Sequence, residues 1–428
     1  MSESKLYLIS RSYTFVSHLA GALFYSVYRD VEYHNLNKIP KDGAIIYAPN
    51  HTSAFMDALT VFNLDKKPKV FLARADMFKI KPLAKILTFG KVLPVMRMRD
   101  GYSELKKNDK SISDAIDVLE NGVALNVFPE GTHEGKHSLI PLLKGIFRIA
   151  IRTQLELEDK MPVYIVPVSI VYGNFLRYRS TVRAEVLDPI NVSEFLKSYE
   201  DPLSPKTINA FKELLFNRMK DGIVYIKNDE YYNAKYDLCA IAVEGEKANY
   251  TVQFDKNRAT LAKIEEMQKQ GSASELLEMA NEFSELRRKR GISLKSVISK
   301  GGKALLIPKI LLLLLTMPFA IVGNVLGLPI SILVPILSKL MDDPIMNNTD
   351  RYVLTLIFWP IMVLVGTLVL FAHLPWVVAL VLALFVVLPS NRYALIYNKL
   401  LRLTISDIRY LNNKKLRKLI PILKSNLI

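Results

Sequence analysis

Between Tyr352 and Leu388 the chain runs for 37 residues without an Asp, Glu, Lys or Arg, and between Ile310 and Ser338 for another 29 without any charge. About 20 apolar residues cross the hydrocarbon core of a bilayer, so each run is long enough to do so. Inside lipid every backbone N–H and C=O must find a partner within the segment, which restricts such runs to helices. The second run is broken at HLPW, His373 to Trp376, and accommodates one full span plus a shorter one, or a re-entrant hairpin. The first is interrupted by Gly327 and Pro329 and fits one span or a bent interfacial hairpin. A pair of very apolar core helices is the competing reading, and runs this long argue against it.

The charge balance agrees with a lipid setting. Fifty-seven Lys plus Arg against 41 Asp plus Glu leave +16, which suits an anionic membrane surface or another polyanion. Nucleic acid is the other polyanion, but 50% hydrophobic residues and a mean hydropathy of +0.18 favour lipid. The single cysteine, Cys239, permits no intrachain disulfide and fits a reducing compartment. From Tyr7 to Tyr28 an aromatic, apolar stretch carries Arg11 and His18, with no small-residue cleavage site behind a clean apolar core. It reads as a membrane-associated amphipathic helix within residues 1–35, or equally as a buried helix, and not as a removable signal.

From Ala44 to Ile190 the pattern alternates. Strand-like runs begin at Ala44 (AIIYAP), Lys69 (KVFLARA), Lys91 (KVLPVMR), Val123 (VALNVFP), Val163 (VYIVPVSIVYG) and Val182 (VRAEVLDP), with helix-like stretches between them. This predicts an α/β domain with a mixed or largely parallel sheet over residues 36–190. Ligands of such sheets gather at strand ends, where the distinctive residues of this chain also fall.

Four runs stand out. NHTSAFMD, Asn50 to Asp57, follows a strand and sets a histidine six residues before an acid. A carboxylate that accepts one imidazole N–H fixes the tautomer and leaves the other nitrogen free to take a proton from an attacking hydroxyl. Taken alone, a capping histidine and a first-turn acid explain the pair as well. GKVLPVMRMRDG, Gly90 to Gly101, puts Arg97 and Arg99 just past a strand, where a guanidinium suits phosphate or carboxylate. VFPEGTHEGKHSLIPLLKG, Val127 to Gly145, leads from a strand into Glu130, Gly131 and Thr132, and loop amides before a helix make an anion site. Its HEGKH, His133 to His137, spells the HExxH zinc pattern, which works only on a regular helix; Gly131, Gly135 and the preceding strand argue against one here. IVPVSIVYG carries Pro167, which marks an edge, bulge or strand start.

In order and spacing these runs resemble the PlsC-type glycerophospholipid acyltransferases, over roughly Leu36 to Ile190. The resemblance implies His51 as general base and Asp57 as its partner. It implies Arg97, Glu130, Gly131 and Thr132 around the phosphate of the acceptor, and Pro167 near the acyl donor. It implies acyl-CoA or acyl carrier protein as co-substrate, with no cofactor and no metal. Most of that family leaves four residues between the histidine and the acid, whereas this chain leaves five. Five resembles the glycerol-3-phosphate and dihydroxyacetone-phosphate branch, although Thr52, Ser53 and Ala54 stand where that branch usually has Asn and Gln. The arginine usual after EGT is replaced by His133, which shifts the expected phosphate contacts toward Lys136, Lys144 or Arg99.

Residues 191–302 read as a charged helical middle domain with a solvent- or headgroup-facing RRKR at Arg287, residues 303–390 as membrane helices, and residues 391–428 as a basic tail with KKLRK at Lys414. With catalytic domain and tail both on the cytoplasmic face, the positive-inside rule requires an even number of crossings. The leading reading is a membrane acyltransferase that loads the 1-hydroxyl of glycerol 3-phosphate, with dihydroxyacetone phosphate as a second acceptor. Acylation of 1-acylglycerol 3-phosphate is the alternative, and a non-catalytic lipid-binding protein of the same fold is the alternative from another class. Membrane lipids are the partners implied, and nothing in the sequence fixes an oligomeric state.

Overall fold

The computed structural model describes residues 7–8, 10–79, 81–95, 105–175, 180–243, 250–340, 343 and 345–427. The chain divides into two compact units, Met1–Ile223 with Asp343–Thr349, and Val224–Asp342 with Asp350–Ile428.

The first unit is built on one mixed sheet. Strands β1 (Asp30–His34), β2 (Ala44–Pro49), β3 (Lys69–Arg74), β4 (Val92–Val95), β5 (Ala124–Asn126), β6 (Val163–Tyr172) and β7 (Thr181–Val186) lie in the order β1-β7-β6-β2-β5-β3-β4, and β8 (Ile190–Asn191) pairs with β6. The pairs β2 with β5 and β6, and β3 with β4 and β5, are parallel; β6 runs antiparallel to β7 and β8. Every residue of β2 is buried, which explains its unbroken apolar sequence: a strand covered on both faces has no polar side to alternate with. The strand readings beginning at Ala44 and Val163 match β2 and β6 closely, while β1 lacks enough apolar residues to have been read as a strand.

Of the three places expected for Pro167, an edge, a bulge or a strand start, the first and last do not apply: it lies inside β6, opposite Ala48 of β2, where the pairing on the other flank is interrupted. On the far flank β8 pairs with Tyr164 and Ile165, and β7 begins pairing only at Val168, so Pro167 falls in the gap between two partners. Its carbonyl accepts from Leu187 N at 2.9 Å on that flank.

The helices of this unit are α1 (Arg11–Val27), α2 (Phe55–Phe62), α3 (Lys81–Phe89), α4 (Leu105–Glu120), α5 (Gly145–Leu157), α6 (Val192–Leu196) and α7 (Pro205–Gly222). Helix α1 opens on Ser10, whose hydroxyl accepts from Tyr13 N, and it buries Phe24 and Val27 while leaving Phe15 and Leu19 exposed. One face is thus core and the other apolar surface. Helix α7 buries Ile208, Phe211, Leu215 and Met219, with Phe211 stacked on Phe195 at 4.3 Å and tilted against Phe147 of α5 at 5.2 Å. That apolar face ties α7 to the sheet unit, which runs on to Ile223.

The second unit is helical: α8 (Tyr232–Ala242), α9 (Tyr250–Lys269), α10 (Ser274–Lys289), α11 (Leu294–Ile298), α12 (Leu306–Leu326), α13 (Leu328–Leu340), α14 (Met346–His373, whose first turn belongs to the sheet unit), α15 (Trp376–Leu382), α16 (Ser390–Asn412) and α17 (Lys414–Leu427). Two core features stand out, and the second corrects the sequence reading. Leu416, Ile420 and Leu423 of α17 pack with Leu238, Ile241 and Phe283, so the basic C-terminal segment is an amphipathic helix with a buried face. Arg287 of the RRKR run is buried and grips Asp237 with Nε and Nη2 at 2.6 and 2.9 Å, while Arg288, Lys289 and Arg290 stay exposed.

Among the described residues two helical stretches can, by length and composition, cross a membrane, Lys300–Leu326 and Met346–His373. The bent pair Trp376–Val387 and Ser390–Asn412 would make a third if the two form one span. Leu328–Leu340 is apolar but shorter.

Candidate active site

The histidine and acid of the NHTSAFMD run meet as their spacing anticipated. β2 ends at Pro49, and Asn50 extends it by side chain, its Oδ1 accepting from Ile170 N at 2.6 Å and its Nδ2 donating to Ile170 O at 3.0 Å. That clamp fixes the chain leaving the strand, and His51 follows. His51 Nδ1 stands 2.9 Å from Asp57 Oδ2, and the ring stacks on Phe128 with centroids 4.1 Å apart. The Asp57 side chain is fully buried, whereas that of His51 is 16% exposed, so the acid is walled in and the base is reachable.

Asp57 is held by three further donors. Thr52 N and Ser53 N each give a hydrogen bond to Oδ2 at 2.7 Å, and the Tyr172 hydroxyl donates to Oδ1 at 2.7 Å. Burial, with the Asp57 charge beside it, holds the Tyr172 phenol well above its ordinary range, so it stays a donor at any working pH. The extra residue between histidine and acid is taken up by a tight turn: Met56 N bonds Ser53 O at 3.0 Å, and Ala54 adopts φ 50°, ψ −127°. Those are the angles of the first central residue of a type II′ turn, a place where glycine is favoured.

Glu130, expected beside the acceptor phosphate, holds two backbone amides around the site. Its Oε1 accepts from His51 N at 2.7 Å and its Oε2 from Ile140 N at 2.8 Å, and the residue is only 2% exposed. Its part is to bracket the strand end that carries His51 against the loop after β5. Burial pushes its pKa up to about 8, with the two N–H bonds working in the opposite direction. Gly131 likewise has a packing reason: at φ +64° its N–H bonds Phe128 O at 3.1 Å, and a Cβ there would stand 2.2 Å from Leu143 Cδ1. Its amide is therefore committed to the turn rather than offered to a ligand. Thr132 is exposed on the same loop, and Pro167 is buried beside Ala48, at the level of the β2 end. Arg97 and Arg99 lie outside the described residues.

The HEGKH run is not helical, since α5 begins only at Gly145. Its histidines part company. His137 is buried against Phe175, ring centroids 4.7 Å apart, and burial pushes its pKa down to about 4. His133 Nε2 lies 2.6 Å from Asp343 Oδ2, and its ring stands edge-on to that of His51 at 5.2 Å. Asp343, 210 residues away, carried no local signal in the sequence. Tyr172 was legible only as strand, and Asn50 only as a flank of the histidine.

Residues 30–171 match the family described as Acyltransferase. Among curated proteins, the chain is 26% identical over 140 residues to the chloroplastic 1-acyl-sn-glycerol-3-phosphate acyltransferase of Brassica napus, covering 32% of this chain and 39% of that one. It is 25% identical over 158 residues to the corresponding chloroplastic protein of Arabidopsis thaliana, covering 37% and 40%. The chain thus spans about two fifths of the length of these relatives. Among solved structures, a 1-acyl-sn-glycerophosphate acyltransferase, PlsC, from Thermotoga maritima aligns with a TM-score of 0.36 at 21% identity, over 50% of this chain and 82% of that one. The α/β domain carries the sequence pattern of the acyltransferase family.

Proposed function

We propose that this chain is a membrane-associated acyltransferase that moves a fatty acyl group from a thioester, acyl-CoA or acyl carrier protein, to a free hydroxyl of 1-acylglycerol 3-phosphate. The observation that carries the reaction type is the His51–Asp57 pair, buried acid behind reachable base at 2.9 Å, inside the residues that match the acyltransferase family. The choice of acceptor rests on the relatives, which are named for that substrate.

The chemistry follows from the geometry. With Nδ1–H donated to Asp57, Nε2 of His51 is the free base. It takes the proton of the acceptor hydroxyl as the oxygen attacks the thioester carbonyl. The tetrahedral intermediate collapses with loss of the thiolate, which recovers that proton from the imidazolium. Asp57 stabilises the transient charge on the ring, and a base so placed contributes about 10²- to 10⁴-fold. The apolar helices keep a lipid acceptor and its two-chain product in the phase they belong to.

A second reading keeps glycerol 3-phosphate, with dihydroxyacetone phosphate, as acceptor. It is favoured by the five residues between His51 and Asp57, which the turn at Ala54 accommodates with the contact between the two intact. Acyl transfer by the purified protein in lipid, offered the three acceptors in parallel with both thioester donors and with His51→Ala as control, separates these. Transfer to 1-acylglycerol 3-phosphate that the variant loses supports the proposal, and transfer to the smaller acceptors alone supports the second reading. Transfer to none of them sinks both and leaves a lipid-binding protein.

A further inference from the structure

Two stretches of the helical unit are almost free of acid. From Leu286 to Met341 there are nine Lys or Arg and no Asp or Glu, and from Pro389 to Ile428 nine Lys or Arg against one acid, Asp407. The fold lays the two side by side where α12 begins. Ser406 of α16 fastens them, its hydroxyl accepting from Ser293 N at 2.7 Å and lying 2.7 Å from Ser296 Oγ. The Tyr410 ring closes on Gly301, where a Cβ would stand 2.7 Å from its Cδ1. Arg409 lies over the turn after α10, its Nη1 2.6 Å from where a Cβ of Gly291 would be. The one acid of the two stretches is spent inside: the Asp407 side chain is fully buried and its Oδ2 accepts from Lys309 Nζ at 2.7 Å.

We infer that Lys300, Lys303 and Arg409, with Lys289 and Arg290 beside them, form a collar around the foot of α12 that binds the headgroups of anionic phospholipids in the surrounding bilayer. All five are exposed. The ion pairs of this region use other cations, Arg287 with Asp237, Lys309 with Asp407 and Lys415 with Glu282, and none of the five has an acidic partner among the described residues. Like charges gathered without counter-charges repel one another, and an anion from outside relieves that repulsion. The neighbouring side chains select the anion. Leu305, Ile307 and Leu311 are 59, 72 and 61% exposed on the chain that leaves Lys303, and Ile405 and Ile408 are exposed on α16 beside Arg402 and Arg409. A free phosphate or a nucleic acid gains nothing from such apolar flanks, whereas a bilayer takes them into its acyl boundary and meets the cations with its phosphates. The stretch Lys300–Leu326 is long and apolar enough to cross, so the collar sets its Lys300 end at the headgroups of an anionic leaflet. The inference rests on the membrane association proposed above and is independent of the acyl acceptor.

The test uses the full-length protein in phosphatidylcholine vesicles that carry a trace of spin-labelled phosphatidylglycerol or spin-labelled phosphatidylcholine, and reads the share of each label that the protein immobilises. The wild-type protein prefers the anionic label about fivefold at low salt, the attraction of one well-placed cation. The preference fades toward parity in sodium chloride at about 1 M, where charges are screened beyond about 3 Å. Changing Lys300, Lys303 and Arg409 together to Gln brings the low-salt preference below about twofold. Removing as many exposed charges from the sheet unit, by Lys41→Gln, Lys66→Gln and Lys160→Gln, leaves it at the wild-type value. The inference is overturned if the wild-type protein takes up both labels equally at low salt, if the preference survives in the collar variant, or if the sheet-unit variant loses as much of it, which would assign the effect to net charge alone. The salt series needs no variant, so a collar variant that misfolds does not decide the matter. A wild-type protein that alkaline carbonate strips from the vesicles overturns the membrane association itself, and that result precedes any comparison of labels.

Discussion

The hydroxyl of Tyr172 donates to Asp57 Oδ1 at 2.7 Å, from the last residue of β6 to the first turn of α2. The other oxygen of that carboxylate serves His51 and two backbone amides, so Tyr172 is the hydroxyl that satisfies Oδ1. Tyr172→Phe keeps the packing and strands a buried, charged oxygen. Stability falls by about 1–3 kcal/mol. Turnover falls by about tenfold as Asp57 loses its anchor, with little change in either KM. Thermal unfolding and steady-state kinetics on the one variant check both, and a wild-type turnover would show that the backbone amides alone hold the acid.

Ala54 is the strained residue of the site. With φ 50° and ψ −127° it sits where an alanine Cβ is unwelcome and a β-branched side chain is worse. Ala54→Gly is expected to hold or raise stability, by up to about 1 kcal/mol, and to retain activity. Ala54→Val forces the turn open, separates His51 from Asp57 and lowers activity about 10²-fold or more, as loss of a placed base does. If valine is tolerated with full activity, the turn does not set the pair's geometry.

Glu130 ties folding to pH. Its ordinary carboxyl pKa of 4.5 rises on folding to about 8, so in between the folded chain holds a proton that the unfolded chain has released. Stability therefore falls as pH rises through that window, by up to about 1.4 kcal/mol per pH unit, and levels off above it. Glu130→Gln removes the titration and flattens this contribution, although its amide NH2 opposes one of the backbone donors at every pH. Unfolding midpoints of both proteins from pH 4.5 to 9 test it: parallel curves would mean that Glu130 does not bind a proton on folding.

How much of this was legible follows from what each residue depends on. β2 and β6 were readable because a strand buried on both faces must be apolar throughout, and His51 with Asp57 because their contact is local. The contacts of Glu130 and Gly131 were not readable because their partners, Ile140 N and Leu143, are set by how the loop folds back, which no spacing encodes. Pro167 announced an irregularity but not its kind, because the gap that hosts it lies between the partners β8 and β7, and β8 is too short to be read. His133 was seen only as a departure from a pattern, since its partner Asp343 is 210 residues away.

The helical unit offers a sharper test of packing. In α12, a Cβ added at Gly323 would stand 2.0 Å from the carbonyl oxygen of Ser390 and 2.8 Å from Ala394 Cβ, so α12 and α16 touch backbone to backbone there. One residue on, Asn398 Nδ2 donates to Asn324 Oδ1 at 2.8 Å across the same helix pair. Small residues allow such approaches between apolar helices, where close van der Waals packing and interhelical hydrogen bonds drive association. Gly366 makes the control: a Cβ there would meet only the side-chain ends of Val387 and Leu326, at 3.2 and 3.4 Å. Gly323→Ala has to displace a backbone and costs about 1–3 kcal/mol, whereas at Gly366 side chains turn aside and the same change costs under about 1 kcal/mol. Thermal unfolding of the two variants in detergent micelles compares them directly. Equal midpoints would show that α12 and α16 slide apart without loss, and that the contact at Gly323 does not hold the pair together.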